Sequence, residues 1–200
     1  MAHYVGPKNR LSRREGFDLF GRGNKLRRAT IPPGVHGQKT RRRPSSFGIQ
    51  LREKQKTKRI YGIMERQFRK YFEIARKVKG ATGNVLLQLL ESRLDNTVYR
   101  LGFAPTRNLA RQLVSHNHVL VGDRLVNVPS YQIRPGDTIT LKPKAQTIPA
   151  VKARLDNTDL PIPVWLSRQG AVGQVVSLPT RDQIDTPAND QLIVEYYSNR

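Results

Sequence analysis

The chain has 200 residues, of which 36 are Lys or Arg and 15 are Asp or Glu, for a formal net charge of +21. It contains no cysteine, which excludes a disulfide scaffold, a thiolate zinc site and an iron–sulfur cluster. No run approaches the ~20 apolar residues that cross a bilayer, and Met1 to Lys8 lack the apolar centre of a secretion signal, so a soluble, cytosolic chain of one or two domains is expected.

Residues 1–48 read as an irregular basic arm. Gly6, Pro7, Gly21, Gly23, Pro32, Pro33, Gly34, Gly37 and Pro44 punctuate it, and no apolar period lasts two turns. Residues 49–79 are helical: Ile60, Met64, Phe68, Tyr71, Phe72, Ala75 and Val78 step by threes and fours. Arg59, Arg66, Arg69, Lys70, Arg76 and Lys77 occupy the opposite surface, and Gly62, which costs ~1 kcal/mol relative to Ala inside a helix, is a point where the stretch can break. A second helix is expected from Asn84 to Leu101 and stops at Gly102. Thr106 stands as the N-cap of a third, with Leu109, Ala110, Leu113 and Val114 as its apolar stripe.

Residues 118–121 and 125–128 then read as a hairpin around Gly122-Asp123. Pro135-Gly136-Asp137 turns into the alternating strand Thr138–Leu141. Further short strands are expected at 164–166, 174–178 and 191–197, with a helical turn at 180–184. The chain is therefore an α+β protein.

The charge is segregated. Residues 1–80 carry 23 basic and 5 acidic side chains (+18), residues 81–155 carry 10 and 4 (+6), and residues 156–200 carry 3 and 6 (−3). A density of +18 over 80 residues repels itself and calls for a polyanion, of which nucleic acid is the obvious one. The acidic tail is no RNA face; it covers the core or meets a basic protein neighbour.

Catalytic signatures are missing. Gly21-Arg22-Gly23-Asn24-Lys25 lacks the hydroxyl residue and preceding strand of a phosphate loop. His116 and His118 have no further metal ligands near them in sequence, and neither does His36. Asp156 and Asp159 lack any sign of a pocket, while Glu91 and Asp95 read as partners for Arg93, Arg100 or Arg111. No enzyme activity and no cofactor are expected.

By contrast, Arg107 and Arg111 at the start of a capped helix set two guanidinium forks beside backbone amides, a combination suited to phosphate. Asn108, Gln112, Ser115 and His116 add uncharged groups suited to 2′-hydroxyls and base edges. Removing both arginines is expected to weaken RNA binding and leave the fold intact. Tyr61, Phe68, Tyr71 and Phe72 fall at core spacing and not as a stacking platform, so structured RNA is favoured over single strands.

Several of these stretches resemble a known family. Residues 93–104, Thr106-Arg107, residues 110–116, residues 126–131 and Pro135-Gly136-Asp137 resemble the S-four RNA-binding domain. Outside it, Pro32 to Gly37, Gln50 to Lys56, Tyr61 to Phe68 and Leu192 to Ser198 resemble the small-subunit ribosomal protein S-four family, of bacterial type. The resemblance implies two helices packed on a small, mainly antiparallel sheet within residues 91–155. Around that domain lie the basic arm 1–48, a helical region 49–90, and a C-terminal segment 156–200 whose short strands pack back on the helical region.

The resemblance further implies a structural protein that binds 16S ribosomal RNA at a 5′-domain helix junction and nucleates assembly of the small-subunit body. It would lie against ribosomal protein S-five and other small-subunit proteins, influence decoding accuracy and help line the path by which messenger RNA enters. Some members repress their own operon. No membrane and no small-molecule substrate are implied, and the zinc that many relatives hold through cysteines in the arm is excluded here. RNA contact would fall to Lys8, Arg10, Arg13, Arg14, His36, Arg41, Arg42 and Arg43 in the arm. In the helical region it would fall to Arg52, Lys54, Gln55, Lys56, Arg59, Arg66 and Arg69, and in the RNA-binding domain to Arg107, Arg111, Gln112, Ser115 and His116.

Overall fold

The structure is a computed structural model that describes residues 4–21, 23, 31–37, 44–157 and 160–198. In chain order it contains α1 (Lys8–Glu15), α2 (Ser46–Ile60), α3 (Glu65–Lys77), α4 (Thr82–Glu91), α5 (Leu94–Arg100) and α6 (Arg107–Ser115). Strands β1 (Val119–Val121), β2 (Arg124–Leu125) and β3 (Thr138–Leu141) follow, then α7 (Pro143–Gln146), α8 (Pro149–Leu155), β4 (Leu166–Gln169) and β5 (Val172–Val175). A 3₁₀ turn (Arg181–Gln183) and α9 (Asp190–Ser198) complete the order. Two compact units result: residues 1–83 with 186–200, and residues 84–185.

In the first unit the helical stretch expected over 49–79 is two helices, and the break falls at Gly62. The backbone after Ile60 closes with Gly62 and Ile63 amides donating to the carbonyls of Arg59 and Lys58 (both 3.2 Å). Gly62 sits at φ +65, a left-handed conformation in which a Cβ would be strained. Phe68, Tyr71, Phe72 and Ala75 of α3 are buried, as their spacing requires.

Residues 191–197 are helical and not a strand. β-branched Ile193 and Val194 favour a strand locally, but as α9 the segment buries Ile193 and Tyr196, lays Tyr197 on Phe72 (centroids 4.5 Å) and brings Tyr196 beside Phe47 (5.6 Å). Tertiary burial overrides propensity here. Polar clasps follow the same seam: Gln50 Nε2 donates to Glu195 (3.1 Å) and the Asn189 amide to Glu53 (2.8 Å).

The arm also differs from expectation, because residues 8–15 form α1. It is a polar helix that buries one residue, Ser12, and stops where Gly16 turns left-handed at φ +64.

The second unit is built on a five-stranded, wholly antiparallel sheet in the order β2-β1-β3-β5-β4. The loop between β1 and β2 has two residues, with Gly122 at φ +57 and Asp123 on the ordinary side, which excludes a type I′ turn. Residues 166–175, expected to pack on the helical region, instead extend the sheet: Ile139 of β3 faces Gly173 of β5. The core gathers Leu94, Val98, Leu101, Phe103, Leu113, Ile139, Leu141, Trp165 and Val175. Gly173 is closely packed in it, since a Cβ there would stand 2.5–2.6 Å from both methyls of Leu101. Helices α7 and α8 carry no long periodic signal and are opened by Pro143 and Pro149 at their first turns.

The expected helix over 84–101 is broken at residues 92–93. Arg93 is extended (φ −72, ψ 138) and forms a single antiparallel bridge with Gln132. The Leu94 amide donates to Tyr131 (2.8 Å) and the Ile133 amide to Ser92 (2.9 Å). The acidic tail covers core in both units, through Trp165, Leu166, Val175 and Ile184 in one and Ile193 and Tyr196 in the other.

Candidate nucleic-acid interface

In the first unit, α1 presents Arg10 and Arg14 to solvent one turn apart. Together with Arg59, Tyr4 and Pro33 they line a cavity of about 370 Å³. Arg14 also borders a second cavity, about 490 Å³, with Arg52, His36 and the Pro32–Gly34 turn. Lys8 lies over the Phe20 ring at 5.6 Å. Arg13 points elsewhere: its Nε donates to Ile31 (2.9 Å) and its Nη2 to Pro32 (3.1 Å), so it fastens the turn that carries His36. Arg41, Arg42 and Arg43 lie outside the described residues, as do Arg22, Asn24, Lys25 and Asp159 of the motifs weighed above.

On α2 the sequence-predicted cations separate. Arg52, Lys56 and Arg59 are half-buried, as is Gln55; Lys56 pairs with Glu53 (3.2 Å) and covers Phe17 (5.2 Å). Lys54 does not belong to this surface. Its side chain is 4% exposed, its Nζ lies 2.7 Å from Glu65 and 4.5 Å from the Tyr196 ring, and no phosphate can reach it there. A lysine spaced like its surface neighbours is instead the buried counter-ion beneath α9. Burial opposes ionisation of Glu65, but hydrogen bonds from Lys54, Lys58 and Tyr197 outweigh it and hold the carboxyl at about 2.

The outer side of α3 exposes Arg66, Arg69, Lys70, Arg76 and Lys77 against the single acid Glu73, which takes Arg69 at 3.2 Å. Lys70, Arg76 and Lys77 were not among the expected contacts, although the stripe that buries Phe68 and Phe72 places them on the same exposed face.

In the second unit, α6 is capped as expected: the Thr106 hydroxyl accepts from the Leu109 amide (3.2 Å). Its two arginines, however, are tied inward. Arg107 Nε donates to Asn96 (2.8 Å), and its guanidinium lies 4.5 Å over Tyr99. Asn96 in turn donates to Glu91 (2.6 Å), which holds Arg100 through two bonds of 2.8 and 2.9 Å. Arg111, with 11% of its side chain exposed, reaches Asp95 at 3.4 Å, and Asp95 already takes two bonds from Arg93 (3.0 and 2.7 Å). The reading of Glu91 and Asp95 as partners of Arg93, Arg100 and Arg111 therefore holds.

What α6 offers outward is Asn108, Gln112, Ser115 and His116, all exposed. His118, its ring 6.4 Å from that of His116, is held below the usual imidazole range by burial and by the charges of His116, Lys144 and Lys142. The same surroundings favour its neutral form. Lys142 and Lys144, which follow β3, were missed because no periodic pattern marks them.

Among the described residues no group of three or more His, Asp or Glu converges as metal ligands, and no helix is long and apolar enough to cross a membrane. The arrangement can neutralise and hydrogen-bond a polyanion. Residues 3–91 match the family described as "Ribosomal protein S4/S9 N-terminal domain", and residues 92–139 match the "S4 domain". Over 207 residues the chain is 50% identical to small ribosomal subunit protein uS4 of Dictyoglomus turgidum, covering 99% of this chain and 100% of the relative. It is 49% identical over 208 residues to the uS4 proteins of Thermus thermophilus and Halothermothrix orenii, with the same coverage.

Proposed function

The chain belongs to the uS4 (S-four) family of small ribosomal subunit proteins, and on that premise we propose that it is a primary binder of 16S ribosomal RNA. It is a structural protein and not an enzyme. It engages a helix junction of the 5′ domain, nucleates assembly of the subunit body in the cytoplasm, and lies against ribosomal protein S-five, where the contact tunes decoding accuracy. Its basic surface also helps line the path of incoming messenger RNA.

One observation carries the reading. The first unit presents positive surface: Arg10 and Arg14 stand exposed on α1 and five cations on the outer side of α3, where Glu73 and the partly exposed Glu65 are the acids that solvent reaches. Such a surface gains affinity from counterion release when it meets closely spaced phosphates. The exposed amide, hydroxyl and imidazole groups of α6 add shape and 2′-hydroxyl readout.

Titration of a 16S 5′-domain transcript with the full chain at rising KCl tests it. The log–log slope should be strongly negative, by about 0.7 to 0.9 per neutralised phosphate. A flat salt response, or a cellular protein that fails to sediment with small subunits, would overturn the assignment.

A further inference from the structure

The first unit buries an acid within its most cationic region. Glu15, the last residue of α1, has a side chain 1% exposed. The Nη1 atoms of Arg52 and Arg59 converge on its Oε1, and its Oε2 has no hydrogen-bond partner among the described residues. Burial pushes its carboxyl up, against the pull of Arg59, Arg52 and Arg14. A carboxylate that is desolvated and only half satisfied is a poor stabilising device, so its value is to be sought in what it holds.

It holds two arginines seven residues apart, on the same face of α2. Arg59 walls the cavity shared with Arg10 and Arg14, and Arg52 walls the one shared with Arg14 and His36. Both guanidinium groups remain partly open to solvent, with side chains 21% and 40% exposed. One carboxylate therefore sets a wall of each cavity.

We propose that Glu15 is a positioning residue for RNA binding: it fixes Arg52 and Arg59 so that their outward N–H groups, with Arg14 between them, form a preorganised receptor for neighbouring phosphates. The inference rests on the RNA-binding reading above and deepens it. Ordering of two long side chains takes place on folding and not on binding, and the planar fork of arginine can accept one anion inward while presenting donors outward. The Coulomb effect of Glu15 alone has the opposite sign, since a negative charge near a phosphate lowers affinity.

That opposition defines the experiment. The full chain and its Glu15→Gln variant are titrated with the 16S 5′-domain transcript over a series of KCl concentrations, and both are melted without RNA. Positioning predicts binding about tenfold weaker for Glu15→Gln, with a salt slope smaller by about one to two, while the melts establish that both chains are folded at the titration temperature. Binding as tight as wild type or tighter overturns the proposal.

Arg52→Lys and Arg59→Lys keep their charge but lose the fork, and each is expected to weaken binding. Combining either with Glu15→Gln should cost less than the sum of the separate losses. Wild-type affinity in both lysine variants overturns the proposal however Glu15→Gln folds. Failure of the wild-type chain to bind the transcript would instead refute the RNA reading itself.

Discussion

Replacement of Arg107 and Arg111 by alanine tests whether the arginines of α6 are surface charges or parts of the frame. Arg107→Ala removes the donor that Asn96 Oδ1 receives at 2.8 Å, in a residue 2% exposed. Loss of such a donor costs about 1–3 kcal/mol. Arg111→Ala leaves Asp95 with both bonds from Arg93 and removes only a long contact, for a loss of about 1 kcal/mol. The pair should therefore destabilise the second unit by about 2–4 kcal/mol, a large part of the roughly 5–15 kcal/mol that holds a domain together. The chain has one tryptophan. Trp165 is 1% exposed in the core of that unit, so its fluorescence during urea unfolding reports on this unit alone. With an m-value of about 2 kcal/mol per molar, the midpoint should fall by roughly 1–2 M. A double variant whose curve overlays wild type would refute the account of Asn96 and Asp95. It would return both arginines to the role of simple surface cations, whose removal leaves the fold intact.

The first unit should weaken in acid. The depressed carboxyl of Glu65, at about 2 against an ordinary 4.5, contributes stability that is complete above 4.5 and lost as pH falls toward 2. With the side chain 44% exposed, screening leaves about 1 kcal/mol of it. Glu15, pushed upward, acts in the opposite direction, so the quantity to measure is the difference between wild type and Glu65→Gln in thermal melts from neutral to acid pH. An acid limb of equal steepness in both would contradict the network. Gly173→Ala should cost about 1–3 kcal/mol through overpacking against Leu101, read again from Trp165, with partial recovery in Gly173→Ala/Leu101→Val; a neutral Gly173→Ala would contradict the packing.

The elements legible in the sequence are those whose pattern and environment agree. The stripe of α3, the Thr106 cap and strand β3 are found where spacing places them, because each buries one face against its own unit. The break at Arg93 was not legible, since an arginine with a 0% exposed side chain, satisfied by Asp95 two residues on, reads in sequence as one more helical surface residue. Lys54 fails for the same reason in reverse: its burial depends on tyrosines that lie some 140 positions away in the sequence. Helix α1 has no apolar face to announce it, and α9 reads as a strand until Ile193 and Tyr196 find their partners. In the candidate site the density of positive charge was visible from composition, but the acids that orient it were not. A lone Glu15 among arginines has the same local pattern whether it is solvated or interior.

The division of the chain has a bearing on synthesis. Residues 84–185 build their body from one contiguous stretch, whereas residues 1–83 need the tyrosines and Ile193 of α9, from the far end of the sequence, to complete theirs. The first body can therefore close only once the last residues of the chain have been made. The cationic half waits for the arrival of Tyr196 and Tyr197, which seals Lys54 away.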